Sequence, residues 1–84
     1  MSKDSHIGRF LIESDIIEYH PSLAKDILRD VIIIRAEQVW AYDSIEYHGI
    51  SYSFDEVEKG MRIPTYDIII ENDKFKGFNK NGTY

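Results

Sequence analysis

The segment from residue 31 to residue 54 constrains the fold of this 84-residue chain more than any other. Two runs rich in β-branched and aromatic residues, 31–42 and 45–54, lie on either side of the polar pair Asp43-Ser44. Two such runs joined by two turn-forming residues are typical of a β-hairpin, because the turn reverses the chain and the runs pair as strands. The sequence therefore predicts a long β-hairpin at the centre of the fold.

The apolar residues of the second arm change their alternation at Gly49. The residues concerned are Ile45 and Tyr47 before the change, and Ile50, Tyr52 and Phe54 after it. A β-bulge at His48-Gly49 adds one residue to the strand and returns all five side chains to one face, so we predict a bulge there. The alternative is an ordinary strand glycine, with Tyr47 packed on the second face of the sheet. The start of the first arm is apolar on both faces, which predicts a central strand.

The remaining elements follow from local patterns. His20-Pro21 sets a boundary, because proline restricts the residue before it and is well tolerated in a first helical turn. We predict strands over residues 7–13, 66–71 and 74–78, a helix over 21–29, and a helical turn over 55–60. Ser14-Asp15 is a helix start or a turn, with residues 16–19 following as one helical turn or a short extended piece.

These elements predict an α+β fold. We expect a small antiparallel sheet of about four strands, built on the central hairpin, with one short helix packed on one face. Residues 1–84 are expected to form a single compact domain, in which residues 1–5 and 79–84 are mobile.

Charge and composition restrict the partners. The chain has 15 acidic and 10 basic residues, and residues 43–73 carry eight acids and two bases. This balance argues against nucleic acid as the main ligand and favours a protein partner with a basic surface. With no cysteine, no signal-peptide pattern and no apolar run long enough to span a membrane, we expect a soluble cytoplasmic protein.

No catalytic or cofactor-binding motif is present. The five glycines are too dispersed for a phosphate-binding loop, and the three histidines are too far apart in sequence for a preformed metal site. Serine and threonine residues show no nucleophile-elbow spacing. We therefore predict no catalytic residues, no metal and no cofactor.

The best candidates for a binding site are the rings and charges of the hairpin. Tryptophan and tyrosine are enriched at binding hot spots, but in a chain this small they also serve as core residues. The predicted binding residues are Arg35, Trp40, Tyr42, Asp43, Glu46, Tyr47 and His48. The distal end of the hairpin, around Trp40, is expected to project away from the helix that supports the rest.

Three functional hypotheses follow. The first is a non-enzymatic, acidic protein-protein interaction module or inhibitor, a class in which phage-encoded proteins are common. The second is a homo-oligomer that binds a small anionic ligand or nucleotide through Arg35, His48 and tyrosines. The third is a small enzyme with a site of histidine and carboxylates assembled by the fold. Uncovered apolar strand residues also predict a homodimer.

Overall fold

The computed structural model describes residues 5–83, with side chains as far as Lys80. Five strands form one mixed sheet, and two helices pack on one of its faces. In chain order the elements are β1 (Ile7–Glu13), α1 (Ser14–Tyr19), α2 (Pro21–Leu28), β2 (Ile32–Val39), β3 (Ser44–Ile50), β4 (Pro64–Glu71) and β5 (Lys74–Thr83). The strand order is β2-β3-β1-β4-β5, which makes β1 the central strand. The α+β class is confirmed.

The expected sheet of about four antiparallel strands is corrected to five strands in a mixed arrangement. β1 and β4 are parallel, with Arg9 opposite Thr65 and Phe10 opposite Tyr66. β3 ends beside the start of β1. The segment after β3 therefore only has to pass the start of β1 before β4 begins on the other side of that strand. A parallel pair of this kind joins residues distant in sequence, and no local pattern indicates it.

The single predicted helix is also corrected, to two helices. α2 begins at Pro21 as predicted, and His20 before it has φ −132° and ψ 58°, which ends α1. Ala24 and Ile27 of α2 are buried, and Ile16 and Ile17 of α1 pack against the same core. Both helices are too short to be stable alone, so packing on the sheet holds them.

β2 lies at the edge of the sheet, where the sequence predicted a central strand. Ile32 and Ile34 are 54% and 55% exposed, although the run to which they belong is as apolar as a buried strand. Strand position depends on which other strands pair, and here β3 takes the inner place between β2 and β1. The consequence is an edge strand with unusually apolar side chains.

The prediction of a bulge at His48-Gly49, in β3, is wrong. β3 pairs with β1 without interruption, and the irregularity lies in β2, where Ile34 has no opposite residue between Ile33 and Arg35. The alternation changes for another reason: Phe54 lies beyond the end of β3 and reaches the core from there. Gly49 is buried on the core side, where an added Cβ would lie 2.3 Å from Cγ1 of Val31.

The core is built from aromatic rings. Phe54 is 1% exposed and lies 4.6 Å from Tyr66, 4.9 Å from Phe78 and 6.0 Å from Phe10 between ring centroids. The Tyr66 hydroxyl accepts a hydrogen bond from the backbone N–H of Asp55 at 2.7 Å, which satisfies this buried polar group. Phe54 therefore fastens the segment between β3 and β4 to the sheet.

Residues 55–58 form no helical turn, which corrects that prediction. Gly60 does adopt a positive φ of 88°, but in the turn closed by the N–H of Met61 on the carbonyl of Glu58. β4 and β5 form a hairpin through Asn72-Asp73, as predicted, and both turn residues have positive φ. β5 continues to Thr83, because its pairing with β4 extends past the predicted end at Phe78.

Of residues 1–5, which were predicted to be mobile, only Ser5 is among the described residues. Tyr84 at the other end also lies outside them. Within residues 5–83, no helix is both long enough and apolar enough to cross a bilayer.

Candidate functional site

The hairpin between β2 and β3 closes through a four-residue tip, Trp40, Ala41, Tyr42 and Asp43. Residues Trp40–Tyr42 form a turn of 3₁₀ helix, and Asp43 has φ 47° and ψ 49°. Asp43 is thus left-handed, a conformation that aspartate tolerates better than most residues. The expected two-residue turn at Asp43-Ser44 is therefore a longer loop, which removes Trp40 and Tyr42 from the strand.

Hydrogen bonds hold the tip in this shape. Asp43 N–H donates to the Trp40 carbonyl at 3.3 Å, and Ser44 Oγ donates to the Tyr42 carbonyl at 2.9 Å. Gln38 Nε2 donates to the Ser44 carbonyl at 3.2 Å across the base of the loop. Ser44 is only 3% exposed, so its hydroxyl lies inside the loop rather than in water. The tip is a braced loop with outward-pointing rings.

Both aromatic side chains of the tip lie outside the core. Trp40 is 84% exposed and Tyr42 is 69% exposed. Tryptophan is usually largely buried, so an indole ring left in water on a hydrogen-bonded turn is an unusual feature. Neither ring therefore belongs to the core, and both are exposed to solvent.

Three acidic residues lie in or next to the tip in the fold. The backbone N–H of Ser14 donates to the Asp43 carbonyl at 2.9 Å, which joins the start of α1 to the tip. This contact brings Glu13 and Asp15, the neighbours of Ser14 in sequence, alongside Asp43. All three carboxylate side chains are exposed. The tip is therefore an aromatic surface with an acidic rim.

Arg35, Glu46 and His48 do not join the tip. They lie mid-strand on the face of the sheet opposite the helices, which we call the open face, where Arg35 is paired across the ladder with His48. Arg35 Nη2 contacts Glu37 Oε2 at 2.8 Å, and His48 Nε2 contacts Glu46 Oε1 at 2.9 Å. Arg35 is thus already ion-paired and His48 already hydrogen-bonded, which makes this group a weak site for an anionic ligand.

Tyr47 lies on the other face of β3, toward the helices. Its ring stacks on Phe10 at 5.5 Å between centroids, with 24° between the ring planes. Burial raises the pKa of the Tyr47 hydroxyl above its ordinary value, since the phenolate is poorly solvated there. The seven residues predicted from the sequence thus divide among the tip, the open face and the core.

The catalytic and pocket hypotheses gain little from this arrangement. Thr65 lies on the open face two strands away from His48, with Arg9 between them, and its hydroxyl accepts a hydrogen bond from Arg9 Nε at 3.0 Å. A surface cleft of about 530 Å³ lies between the end of α2 and the turn after β3. Its lining residues are Arg29, Asp30, Val31, Ile32, Ser51, Tyr52 and Ser53, with none of the seven predicted residues among them.

The residues that shape the tip carry little signal in the sequence. Gln38, Ser44 and Ser14 make the bracing hydrogen bonds, and only Ser44 had a signal, as half of the predicted turn. Ser14 approaches the tip because Glu13 pairs with Ser44 across β1 and β3, which is long-range information.

Comparisons of the chain with models of protein families, with curated proteins and with solved structures found no match.

Proposed function

We propose that this protein is a non-enzymatic binding module that attaches to a basic surface on a partner protein through the hairpin tip. The observation that carries the proposal is the exposure of Trp40 on a turn fixed by hydrogen bonds. Full burial of a large apolar side chain stabilises a protein by roughly 1.5–3 kcal/mol, and Trp40 contributes almost none of this to the fold. A partner surface that covers the indole ring gains that free energy instead.

Rigidity supports the same function. A loop whose backbone is already hydrogen-bonded loses little conformational entropy when it binds, so more of the contact energy is retained as affinity. The acidic rim of Glu13, Asp15 and Asp43 complements basic residues and accelerates the encounter with them. A module of this kind acts by occupying the surface that it covers, which is the action of a small inhibitor.

Affinity capture with matched baits tests this function. Tyr42 and Tyr19 are both 69% exposed, but only Tyr42 belongs to the tip. We expect wild type and Tyr19→Ala to retain the same basic partner, and Tyr42→Ala to bind it about tenfold more weakly. The measurement is the dissociation constant of the captured protein, purified, for each of the three baits. Equal affinities for the two tyrosine variants would contradict binding through the tip.

The acidic rim makes a separate prediction. Asp43→Asn removes one carboxylate and keeps a residue that tolerates the left-handed conformation, so the backbone of the tip is preserved. We expect association with the basic partner to slow by about two- to fivefold at low salt, with little change at high salt, where the charges are screened. Stopped-flow fluorescence of Trp40 measures this rate, because it is the only tryptophan in the chain. An unchanged rate at low salt would show that the rim does not guide the encounter.

A further inference from the structure

The two edges of the sheet differ in how they are protected against pairing with another strand. β5 carries three lysines, and its ladder with β4 has two register shifts, both of which discourage edge-to-edge pairing. β2 contains no lysine or proline, and it exposes Ile32 and Ile34 by more than half. β2 has one register shift of its own, at Ile34, so the regular part of this edge runs from Arg35 to Val39. A regular exposed edge is a template for an additional strand. β2 is therefore the edge at which pairing is expected.

The charges on β2 show what kind of strand fits. Arg35 and Glu37 are 65% and 59% exposed, and they lie on the open face on either side of Ala36. In an antiparallel pair centred on Ala36, Arg35 of one strand lies opposite Glu37 of the other, and the reverse holds on the other side of the centre. Opposite charges directly across an antiparallel ladder stabilise it, and here they join the exposed Arg35–Glu37 ion pair that each copy already has. The charge pattern of β2 is thus complementary to itself.

We propose that two copies of this chain associate by antiparallel pairing of their β2 strands, with the two-fold axis at Ala36. The paired segment covers residues 34–38, and it joins the two sheets into one continuous sheet. The small side chain of Ala36 suits the axis, where the two copies approach most closely. The bulge at Ile34 limits the length of the ladder at one end, and the turn at Trp40 limits it at the other.

A second copy explains the observations better than a foreign strand. A strand from another protein requires only an open edge, whereas the symmetric placement of Arg35 and Glu37 about Ala36 satisfies the condition of a two-fold interface, in which each contact occurs twice. The proposal goes beyond the binding function of the tip. Because pairing ends at Gln38, Trp40 and Tyr42 lie beyond the paired segment.

Sedimentation equilibrium of charge-reversal variants tests the dimer at protein concentrations up to about 1 mM, the range of a weak strand-strand contact. Arg35→Glu places carboxylates at both positions of each copy, and Glu37→Arg places guanidinium groups at both. Each single variant is expected to dimerise about tenfold more weakly than wild type, because like charges then lie opposite each other. An equimolar mixture of the two is expected to regain dimers, and so is the double variant Arg35→Glu/Glu37→Arg.

The Lys76→Glu variant is the matched control, since it changes the net charge by the same amount as Arg35→Glu but lies on the opposite edge of the sheet. It is expected to dimerise as wild type does. A protein that stays monomeric throughout the concentration range would overturn the proposal. So would dimers that survive both single reversals, or single variants that fail to recover on mixing.

Discussion

Replacement of Phe54 by alanine is expected to lower the free energy of unfolding by about 3–5 kcal/mol, as truncation of a buried phenylalanine typically does. Phe54 is 1% exposed and contacts the rings of Phe10, Tyr66 and Phe78. Alanine leaves a cavity among these rings, which the surrounding strands cannot fill without moving. The variant also loosens the segment between β3 and β4, because Phe54 is the buried apolar side chain of residues 51–63. Urea denaturation measures the change.

Tyr52→Ala is the control for this prediction, since it removes an aromatic ring from the same segment. Tyr52 is 67% exposed, and its ring meets His6 edge-on at 5.1 Å. We expect this variant to lose less than about 1 kcal/mol. Equal losses for Phe54→Ala and Tyr52→Ala would mean that Phe54 is not the anchor that its burial indicates.

Phe54 also illustrates what sequence reasoning can and cannot recover. The alternation of apolar side chains does change at Gly49, and a bulge in β3 is one local explanation for it. The structure resolves the change differently, because β3 ends at Ile50 and the chain leaves the sheet before Phe54 turns back into the core. The path of an irregular segment depends on the core that it meets, and this information is absent from the segment itself.

Local signals predicted the elements that depend on local interactions. β1 has the predicted bounds, and α2 begins at Pro21, since alternation and proline act within a few residues. The edge position of β2 and the parallel pairing of β4 depend on which distant strands become neighbours. Ile32–Ile34 therefore resembled a buried strand in sequence, although Ile32 and Ile34 are more than half exposed in the structure.

The candidate site was also predicted only in part, because local signals do not show which distant residues become neighbours. Trp40 and Tyr42 were placed at the end of the hairpin by the two apolar runs, and there the structure has them. Tyr47 was grouped with them by proximity in sequence, but it lies on the core face of β3, stacked on Phe10. Glu13 and Asp15, which complete the acidic rim, come from β1 and α1 and were not candidates.

Replacement of Trp40 by alanine is expected to separate binding from stability. The side chain is 84% exposed, so its removal should change the free energy of unfolding by less than about 0.5 kcal/mol, the usual range for an exposed position. An aromatic anchor at the centre of an interface typically contributes about 2 kcal/mol or more, so the affinity for the partner should fall by roughly 30-fold. No other position in the tip is expected to show so large a difference between the two effects.

The most direct test is to measure thermal unfolding and partner affinity on the same preparation of the Trp40→Ala variant, with Tyr19→Ala as the exposed aromatic control. A variant that melts like wild type and binds roughly 30-fold more weakly, while Tyr19→Ala changes neither quantity, is the result that the binding tip predicts. A variant that melts at a much lower temperature, and whose folded fraction binds the partner with wild-type affinity, would contradict it.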